Sequence, residues 1–538
     1  MKSESAAEPR DSAPAAPAAP HAPASAAPAG LQLLLDLPRD AVAAFKQAEL
    51  LTGAAPRRPV TRKLRQVFWD TADHRLGRAG LAIGMQTAGQ RRSQIVRNIK
   101  LAPTGGRILH QQDHPLQGDA LDLTRLALLP GGDPELVTRI AAEMLIPVFA
   151  IDLTRTSWSA LWGETGLTVA LEIGTVESAA GRLEFCQVTL APTAGPAQGL
   201  YDFAQRLHRA VPVQLAGHDA VQLGYRRIAG ADWWPEQRNG TAALDAGMTV
   251  REGILAIGHA ATAAVRAQIH GLASHAEPEQ IHEARVALRR LRSALSVFGN
   301  ALPTFSRKAL ARDLGALASS LGHARELDVF LAETLEPLIQ ASGEETVLRG
   351  LRLTASVLRE NAAEAARRAA GTPDFAAVSC RLGAWFDAGL WPEPPNAEAT
   401  ALLDQPFADF AGALLRKHHR KLLAAGAALK DPKPVELHAL RIQAKRLRYT
   451  AEFVRGLFPA RAVRRYVTAL KAIQDILGTL NDAVVARNLL PQLTKADPSG
   501  APRAAGLVAG WSAAEVTSAR RRFAEAWEAF AATKKFWK

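Results

Sequence analysis

HEARVALRRLR (residues 282–292) and HALRIQAKRLR (residues 438–448) each place a histidine and four basic residues at identical offsets. The matched residues are His282, Arg285, Arg289, Arg290 and Arg292 in the first copy, and His438, Arg441, Lys445, Arg446 and Arg448 in the second. The copies lie 156 residues apart, and the same spacing aligns LASSLGHARELDV (317–329) with IQDILGTLNDAVV (473–485) without a gap. We therefore predict a duplicated pair of helices with a turn between them.

On a helix, most of these basic residues form a single stripe. At 100° per residue, four residues of the first copy fall inside a sector of about 80°, namely His282, Arg285, Arg289 and Arg292. Arg290 points elsewhere. Arg446 is the corresponding outlier in the second copy. The neighbouring sector is apolar in both copies and is predicted to face the core: Ala284, Leu288, Leu291, Leu295 and Phe298, then Leu440, Ala444, Leu447, Ala451 and Val454.

The stripe has two interpretations, a solvated helix face or an anion-binding surface. Solvated faces usually alternate acids with bases, because such pairs stabilise a helix. Here Glu283 is the only acid in the first copy, and the second copy has none. Like charges on one stripe repel unless an anion lies among them, so the duplicated pattern favours anion binding.

Arginine matches phosphate oxygens, and a stripe of about 15 Å suits several phosphates in a row. A metal site is disfavoured, because each histidine lacks a partner ligand one turn away and has cationic neighbours.

The rest of the chain divides into a strand-rich region and a helical region. Short apolar runs bounded by turn residues, such as LQLLLDL (31–37) and LTVALEIGTV (167–176), predict an antiparallel sheet or barrel over 30–229. Residues 230–244 are interpreted as a linker. From 245 to 538 the 3.6-residue periodicity predicts a helical bundle, interrupted at 371–400, with repeats at about 245–370 and 400–538. The predicted class is therefore α+β, with several domains.

Composition narrows the cellular setting and the partner. The 538 residues carry a formal charge of +13, which favours an anionic partner. Cys186 and Cys380 are the only cysteines, so no disulfide framework is expected and a reducing cytoplasm fits. No apolar run is long enough to span a bilayer.

Residues 1–29 are interpreted as a disordered Ala- and Pro-rich tail, and KKFWK (534–538) as a frayed terminus, with anchoring to an acidic or lipid-covered surface as the alternative. The oligomeric state stays open.

The paired basic helices, each followed by a predicted L-G-x-x-[RN]-[ED] turn, resemble the CHAD (conserved histidine α-helical domain) family over roughly 245–538. The resemblance implies two related four-helix units that bind inorganic polyphosphate through the ten matched basic positions, and it suggests residence on polyphosphate granules. Lys417, Arg420 and Lys421 are added as further contacts. His418 and His419 either join them or belong to a solvated face.

The front region resembles the CYTH family. The resemblance rests on LRQVFWDTADHRLGRAGLAI (64–83), RNIKL (97–101), VFAIDLTRTSW (148–158) and HDAVQLGYRRI (218–228). It implies an eight-stranded antiparallel tunnel barrel that hydrolyses or uses triphosphates with Mg²⁺ or Mn²⁺. In such a tunnel, inward carboxylates hold the metal and basic side chains neutralise the phosphates.

Most of the charged residues of the CYTH pattern are missing. Gly30, Gln32 and Leu34 occupy the E-x-E-x-K positions, and Gln187 and Thr189 occupy the late E-x-E pair. The L-R-x-R strand and the Lys and Arg of the closing helix are also replaced, at 81–84, Ala220 and Leu223. Lys100 and Arg155 remain as a residual phosphate site, and Glu172 is at most a vestigial metal ligand. We therefore expect a pseudoenzyme that needs no cofactor.

Two other functions compete with polyphosphate binding. The first is a metal-dependent triphosphatase or polyphosphate hydrolase, which would require the losses above to be alignment errors. The second is nucleic-acid binding, since any basic stripe attracts a phosphate backbone. Specific nucleic-acid recognition is not expected, because Tyr449 is the only aromatic residue adjoining either stripe.

Overall fold

The computed structural model describes two structural regions. The described residues are 30–52, 58–99, 106–108, 111–116, 118, 120–129, 132–229, 242–274, 277–387, 389, 391, 395–427, 434–496 and 501–537. The predicted tail, Lys100 and most of the predicted linker lie outside these ranges. The prediction of an antiparallel sheet region followed by an all-helical region is confirmed.

All the described strands belong to one antiparallel sheet. They are β1 (Leu31–Asp36), β2 (Val60–Asp70), β3 (Leu81–Ala88), β4 (Arg91–Asn98), β5 (Gly106–Ile108), β6 (Gln111–Pro115), β7 (Ile146–Trp162), β8 (Thr165–Ser178), β9 (Gly181–Ala194) and β10 (Gln214–Leu215). The hydrogen-bonded order is β10-β1-β9-β8-β7-β2-β3-β4-β6, and β5 also pairs with β1. The sheet curls around on itself, because β6 lies at one end of this order and β5, the strand just before it in the chain, pairs with β1 next to the other end.

Alternating side chains of β1 separate the inside of the curled sheet from the outside. Leu31, Leu33 and Leu35 join the outer apolar cluster, which also contains residues of helix α5 (Gln198–Ala210). Gln32, on the opposite face, lines an internal cavity of about 250 Å³. This two-residue alternation is what the strand period requires. Among the other positions considered in the sequence, Arg155, Glu172, Thr189 and Ala220 also line this cavity.

Helices dominate the remainder. The other helices of the sheet region are α1 (Val42–Gln47), α2 (Glu49–Thr52), α3 (Arg75–Ala79), α4 (Pro134–Ala141) and α6 (Ala220–Ala229). The helical region contains α7 (Val250–Ser274), α8 (Pro278–Val297), α9 (Thr304–Ser320), α10 (Gly322–Val329), α11 (Glu336–Ser342), α12 (Glu345–Ala370), α13 (Pro373–Leu382), α14 (Ala397–Leu403), α15 (Phe407–Ala427), α16 (Pro434–Phe453), α17 (Ala460–Leu493) and α18 (Ala501–Ala531). None of the helices in the described ranges is long and apolar enough to cross a membrane.

The internal repeat extends over whole helices. Helices α8, α9 and α12 begin 156 residues before α16, α17 and α18, and α7 precedes α15 by nearly the same distance. Two related four-helix units result, with α13 and α14 between them. The apolar residues predicted to face the core on α8 and α16 are all buried, which confirms that part of the pattern.

The L-G-x-x-[RN]-[ED] turn that was predicted after each basic helix is absent from the second unit, whereas the connection between the paired helices is present in both. In the first unit the chain breaks at Leu321, between α9 and α10, whereas α17 runs unbroken through the equivalent residues. In the first unit the Arg285 guanidinium donates to the carbonyl oxygen of Ala318 at 3.0 Å. That carbonyl is the one that Gly322 N–H would use to continue the helix, so the arginine stabilises the break.

The C-terminal residues are packed rather than frayed, which corrects the interpretation of KKFWK. Trp537 is 5% exposed, and its ring lies edge-on to Tyr466 at 5.0 Å and to His419 at 5.5 Å. The apolar rings at this end of the chain therefore stabilise the second unit and are not available for anchoring to a surface.

Trp537→Ala is expected to lower the free energy of unfolding by about 2–3 kcal/mol, because it removes a buried aromatic side chain near a chain end. Urea unfolding of the full chain measures the change. Lys534→Ala, in the same segment, is the control and should have almost no effect. Equal stability of the Trp537 variant and the parent would contradict the packing described here.

Candidate functional site

The basic stripes of the two units meet where α8 packs on α16. Arg289 Nε on α8 donates to the Tyr449 hydroxyl on α16 at 2.6 Å. Arg289 also lies close enough to Arg441 and Lys445 to lower the pKa of both. The residues Arg289, Arg441, Lys445 and Arg448 are called the shared basic cluster below. Residues from both copies thus contribute to one positively charged surface.

Burial and mutual repulsion both disfavour the positive charges of Arg441 and Lys445 in the shared basic cluster. Burial lowers the pKa of Lys445 to about 7, with further lowering from Arg441, Arg289 and Arg448, and only Asp482 opposes them. Burial likewise lowers the pKa of Arg441, against the influence of Asp482. Arg441 Nε is buried without a hydrogen-bond partner among the described groups. A cluster with more cations than nearby acids gains stability when an anion enters it.

The first unit continues this surface along α8. Burial lowers the pKa of Arg285, followed by repulsion from Arg289, while Glu326 opposes the shift. Burial and the nearby Arg325 lower the pKa of His282. His438 and Arg292 are exposed. The stripe residues outside the shared basic cluster therefore range from half-buried (His282 and Arg285) to exposed (Arg292 and His438).

Two acids and one arginine of this surface were not identified as site residues from the sequence. Glu326 and Asp482 lie 156 residues apart and influence Arg285 and Arg441 in the same way, so each unit places one acid beside its central arginine. Arg325 lies beside His282. All three residues occupy the aligned [RN]-[ED] positions of the repeat, which the sequence predicts only as part of a turn.

Arg290 and Arg446 leave the stripes, as expected, and link the two units. Arg290 forms an ion pair with Glu452 at 2.9 Å, and Arg446 donates to Ser296 Oγ at 2.8 Å. Ser296 and Glu452 are themselves 156 residues apart, so the two contacts are equivalent by the repeat. Arg448 also reaches Glu452, at 3.3 Å. The geometry gives Arg290 and Arg446 a structural role, and the phosphate contact predicted for them stays a prediction.

A double-mutant cycle with Arg290→Gln and Glu452→Gln should give a coupling energy of about 1 kcal/mol in urea unfolding. The pair is partly shielded and joins the two units, so it should exceed a typical exposed ion pair. The exposed pair Arg352 and Glu345 provides the matched control, with an expected coupling near zero. Indistinguishable values for the two pairs would remove the case for a link between the units.

The additional basic residues of α15 lie at or near the protein surface. Arg420 and Lys421 are exposed and Lys417 is partly exposed. Burial lowers the pKa of His418 to about 4, and Arg446, Lys417 and Lys421 lower it further, so these three cations lie near the same histidine.

Neither interpretation of His418 and His419 is correct. Both are buried, and their Nδ1 atoms bond to the Thr450 and Tyr466 hydroxyls at 2.9 and 2.7 Å. Burial lowers the pKa of each, so both are neutral at pH 7. They are packing residues of α15.

The cavity of the sheet region contains cations already paired with acids. Arg155 Nε donates to Glu172 at 2.6 Å, and both residues line the cavity. Arg97 and Asp219, which sequence reasoning missed, form a second pair with side chains only 5% and 8% exposed. Nothing in the sequence joined these two residues, which lie 122 positions apart.

Neutral groups occupy the positions of the lost carboxylates. Gln32 and Thr189 line the cavity, and Gln187 Nε2 donates to Asp36 and to the His218 carbonyl. Across the described residues, no three His, Cys, Asp or Glu side chains are grouped so that they could hold a metal ion. Lys100, predicted to share the residual phosphate site with Arg155, lies outside the described residues.

Comparison with known proteins identifies the helical region. The CHAD domain family model matches residues 256–491. A CHAD domain from the plant Ricinus communis is 31% identical, in a match covering 56% of this chain and 98% of that one, with a TM-score of 0.48. PptA from Streptomyces chartreusis is 19% identical, with 52% and 99% covered and a TM-score of 0.42. HpAC1 from Hippeastrum, reported to have a dominant triphosphatase activity, is 15% identical, with 36% and 94% covered and a TM-score of 0.25. No protein of curated function matches the sequence.

Proposed function

This chain belongs to the CHAD domain family, and from that premise we propose that it binds inorganic polyphosphate through the shared basic cluster and the stripes that lead to it. The observation that supports this most is the meeting of Arg289 with Arg441 and Lys445 across the two units. One polyanion can contact both units at once. Two half-sites on one rigid body then bind a long chain more tightly than either half alone.

The partial burial of the cluster favours a flexible polyanion over a rigid one. Arg441 and Lys445 are partly buried between helices, so a phosphate must enter the surface to reach them. A single polyphosphate strand can follow such a surface, whereas a stiff duplex presents its phosphates on a convex cylinder. The described cluster also offers few aromatic faces for stacking bases, since Tyr449 is 2% exposed.

We propose that the sheet region does not hydrolyse triphosphates. Arg155 is engaged with Glu172, and Arg97 with Asp219, so their charges are already balanced. Glutamine and threonine at the positions of the lost acids are weak ligands for a hard divalent cation.

Residence on polyphosphate granules is a further part of the proposal, and a fluorescent fusion in polyphosphate-rich cells tests it.

The experiment that tests the function measures binding of long-chain polyphosphate, and of duplex DNA with equal total charge, over a salt series. The full chain is compared with a variant in which Arg285, Arg289, Arg441 and Lys445 are all changed to Ala. Each lost phosphate contact should flatten the slope of log affinity against log salt by roughly one unit, by analogy with counterion release from nucleic acids.

Preference for polyphosphate that is lost in the four-residue variant supports the proposal. Equal binding of both polymers, or an unaffected variant, contradicts it. A Glu172→Gln variant serves as the control for the sheet region and should bind polyphosphate like the parent. Release of phosphate from tripolyphosphate with Mg²⁺ or Mn²⁺, abolished by Glu172→Gln, would favour the hydrolase alternative instead.

A further inference from the structure

We propose that Lys445 is a site of acylation by small acyl phosphates, and that this modification switches off the anion-binding surface. The inference rests on the proposed function in one respect, because the arginines that would hold polyphosphate would also hold the phosphate group of the acyl donor. The step needs only the donor and the side chains already described.

The surroundings of Lys445 can bring the phosphate group of an acyl phosphate next to an amine. Arg289 from α8, and Arg441 and Arg448 from α16, lie close enough to Lys445 to influence its charge, as does Asp482 from α17. Guanidinium groups bind phosphate oxygens through paired N–H donors. A phosphate held by these arginines keeps the attached acyl carbon near the Lys445 amine, and such proximity accelerates a reaction strongly.

The repeat leaves the amine of Lys445 without a hydrogen-bond partner. Lys445 occupies the position that Arg289 occupies in the first unit, 156 residues earlier. Arg289 is held by the hydroxyl of Tyr449, but the residue equivalent to Tyr449 on α8 is the much shorter Ser293. Among the residues that the structure describes, none forms a hydrogen bond or ion pair with Lys445. The side chain is partly exposed, so a small donor can reach it.

The protonation state of Lys445 also suits a nucleophile. Burial, Arg441 and Arg289 bring its pKa to about 7, so roughly half of the amine is unprotonated at neutral pH. An ordinary lysine, with a pKa near 10.4, is unprotonated in only about one molecule per thousand at pH 7.4. The lower basicity reduces the intrinsic reactivity of the amine by part of this factor. Part of the gain in unprotonated amine remains as a faster rate than that of a surface lysine, before any effect of the bound phosphate.

The reaction is balanced without another reagent. The lone pair of Lys445 Nζ attacks the carbonyl carbon of the acyl phosphate, a C–N bond forms, and the C–O bond to the phosphate group breaks. Inorganic phosphate leaves with the bonding electrons and is stabilised by the arginines. The amine proton passes to the departing phosphate, directly or through water, so the products are the amide and hydrogen phosphate. The product is a neutral amide that removes one positive charge and adds bulk inside the cluster.

Acetyl phosphate is the probe that tests this inference. The full chain is incubated with it across pH 6–10, and acetylation of Lys445 and of Lys46, an exposed lysine of the sheet region, is quantified by mass spectrometry. Lys445 should react at least tenfold faster than Lys46 at pH 7.5, and the rate of Lys445 should level off above about pH 8. A Lys445 rate equal to or below that of Lys46 overturns the inference.

Two comparisons show whether phosphate binding contributes. Arg441→Gln should slow acetylation of Lys445 by acetyl phosphate more than acetylation by p-nitrophenyl acetate, which carries no phosphate. The opposite ranking would contradict a phosphate-guided reaction. Long-chain polyphosphate should protect Lys445 in the parent but leave Lys46 unchanged. If the chain binds polyphosphate normally but Lys445 is unreactive, this inference alone is rejected. If Lys445 is reactive but the chain does not bind polyphosphate, which then gives no protection, the proposed function alone is rejected.

Discussion

Arg441→Gln is expected to weaken binding of long-chain polyphosphate by about 10- to 100-fold at low salt. A hydrogen bond between charged groups contributes about 1.5–3 kcal/mol, and Arg441 lies where the surfaces of the two units join. Its Nε is buried without a hydrogen-bond partner among the described groups, so the free protein does not use it for a stabilising contact of its own. Fluorescence anisotropy with labelled polyphosphate measures the loss.

The same variant should not be less stable than the parent. Arg441 is partly buried beside Arg289, while Asp482 and, to a smaller extent, Tyr449 favour its charge. Removal of a crowded cation should leave the thermal midpoint unchanged or raise it by about 2 °C. Binding and stability therefore move in opposite directions, as expected for a residue retained for a ligand.

Arg352→Gln provides the matched control. Arg352 is an arginine of α12 that pairs with Glu345 at an exposed position outside the cluster. Polyphosphate affinity should change less than twofold in this variant. A loss of affinity as large as that of Arg441→Gln would mean that total charge, rather than the cluster, controls binding. A destabilised Arg441 variant would contradict the crowding of charge described above.

Polyphosphate affinity is expected to fall by at least about tenfold as the pH rises from 7 to 9. In the free protein Lys445 loses its proton near pH 7, because burial and the facing Arg441, Arg289 and Arg448 disfavour its charge. A bound polyanion restores that charge. Above pH 7 binding therefore takes up a proton, and the affinity can fall by as much as one log unit per pH unit. Titration calorimetry in buffers of different ionisation enthalpy measures the proton uptake.

The free energy of unfolding should also depend on the protonation of Lys445. It should rise with pH over the range in which polyphosphate affinity falls. The pKa of Lys445 is lower in the folded chain than in the unfolded chain, so the unfolded chain holds more protons between pH 7 and about 10. Lys445 therefore destabilises the fold most fully below pH 7, and this penalty is relieved as the pH rises through that window.

Lys445→Arg removes the titration and is the variant that isolates it. An arginine keeps its charge across this range, so both slopes should flatten and affinity at pH 9 should exceed that of the parent. His282 does not interfere, since burial lowers its pKa below the ordinary value and it titrates under acidic conditions. An unchanged pH dependence in the arginine variant would assign the proton to another group.

The sequence allowed the helical half of the fold to be predicted because a repeat constrains it twice. The spacing of 156 residues aligned the stripes, and the buried faces of α8 and α16 followed from the helix period alone. The break at Leu321 could not be predicted, because it depends on a contact of the Arg285 side chain with Ala318, 33 positions away. Local sequence at 317–329 resembles its copy too closely to reveal that difference.

Long-range contacts also explain what was missed at the site. The role of Glu452 as a shared partner of Arg290 and Arg448 depends on how α8 crosses α16. The pairing of Arg97 with Asp219 depends on the packing of α6 against the sheet. The sequence placed His418 and His419 beside three basic residues, which suggested a charged surface, but the helix turns both rings inward. Such assignments need the tertiary arrangement.

The central claim is that one polyanion contacts both units at the shared basic cluster. A crystal structure of the full chain with long-chain polyphosphate tests it most directly. We predict phosphate oxygens within about 3 Å of both the Arg289 and the Arg441 guanidinium groups, which is ordinary hydrogen-bond distance. Continuous density should pass from α8 to α16, with Lys445 in contact. Polyphosphate confined to one unit, or found only in the cavity beside Arg155, would contradict the account.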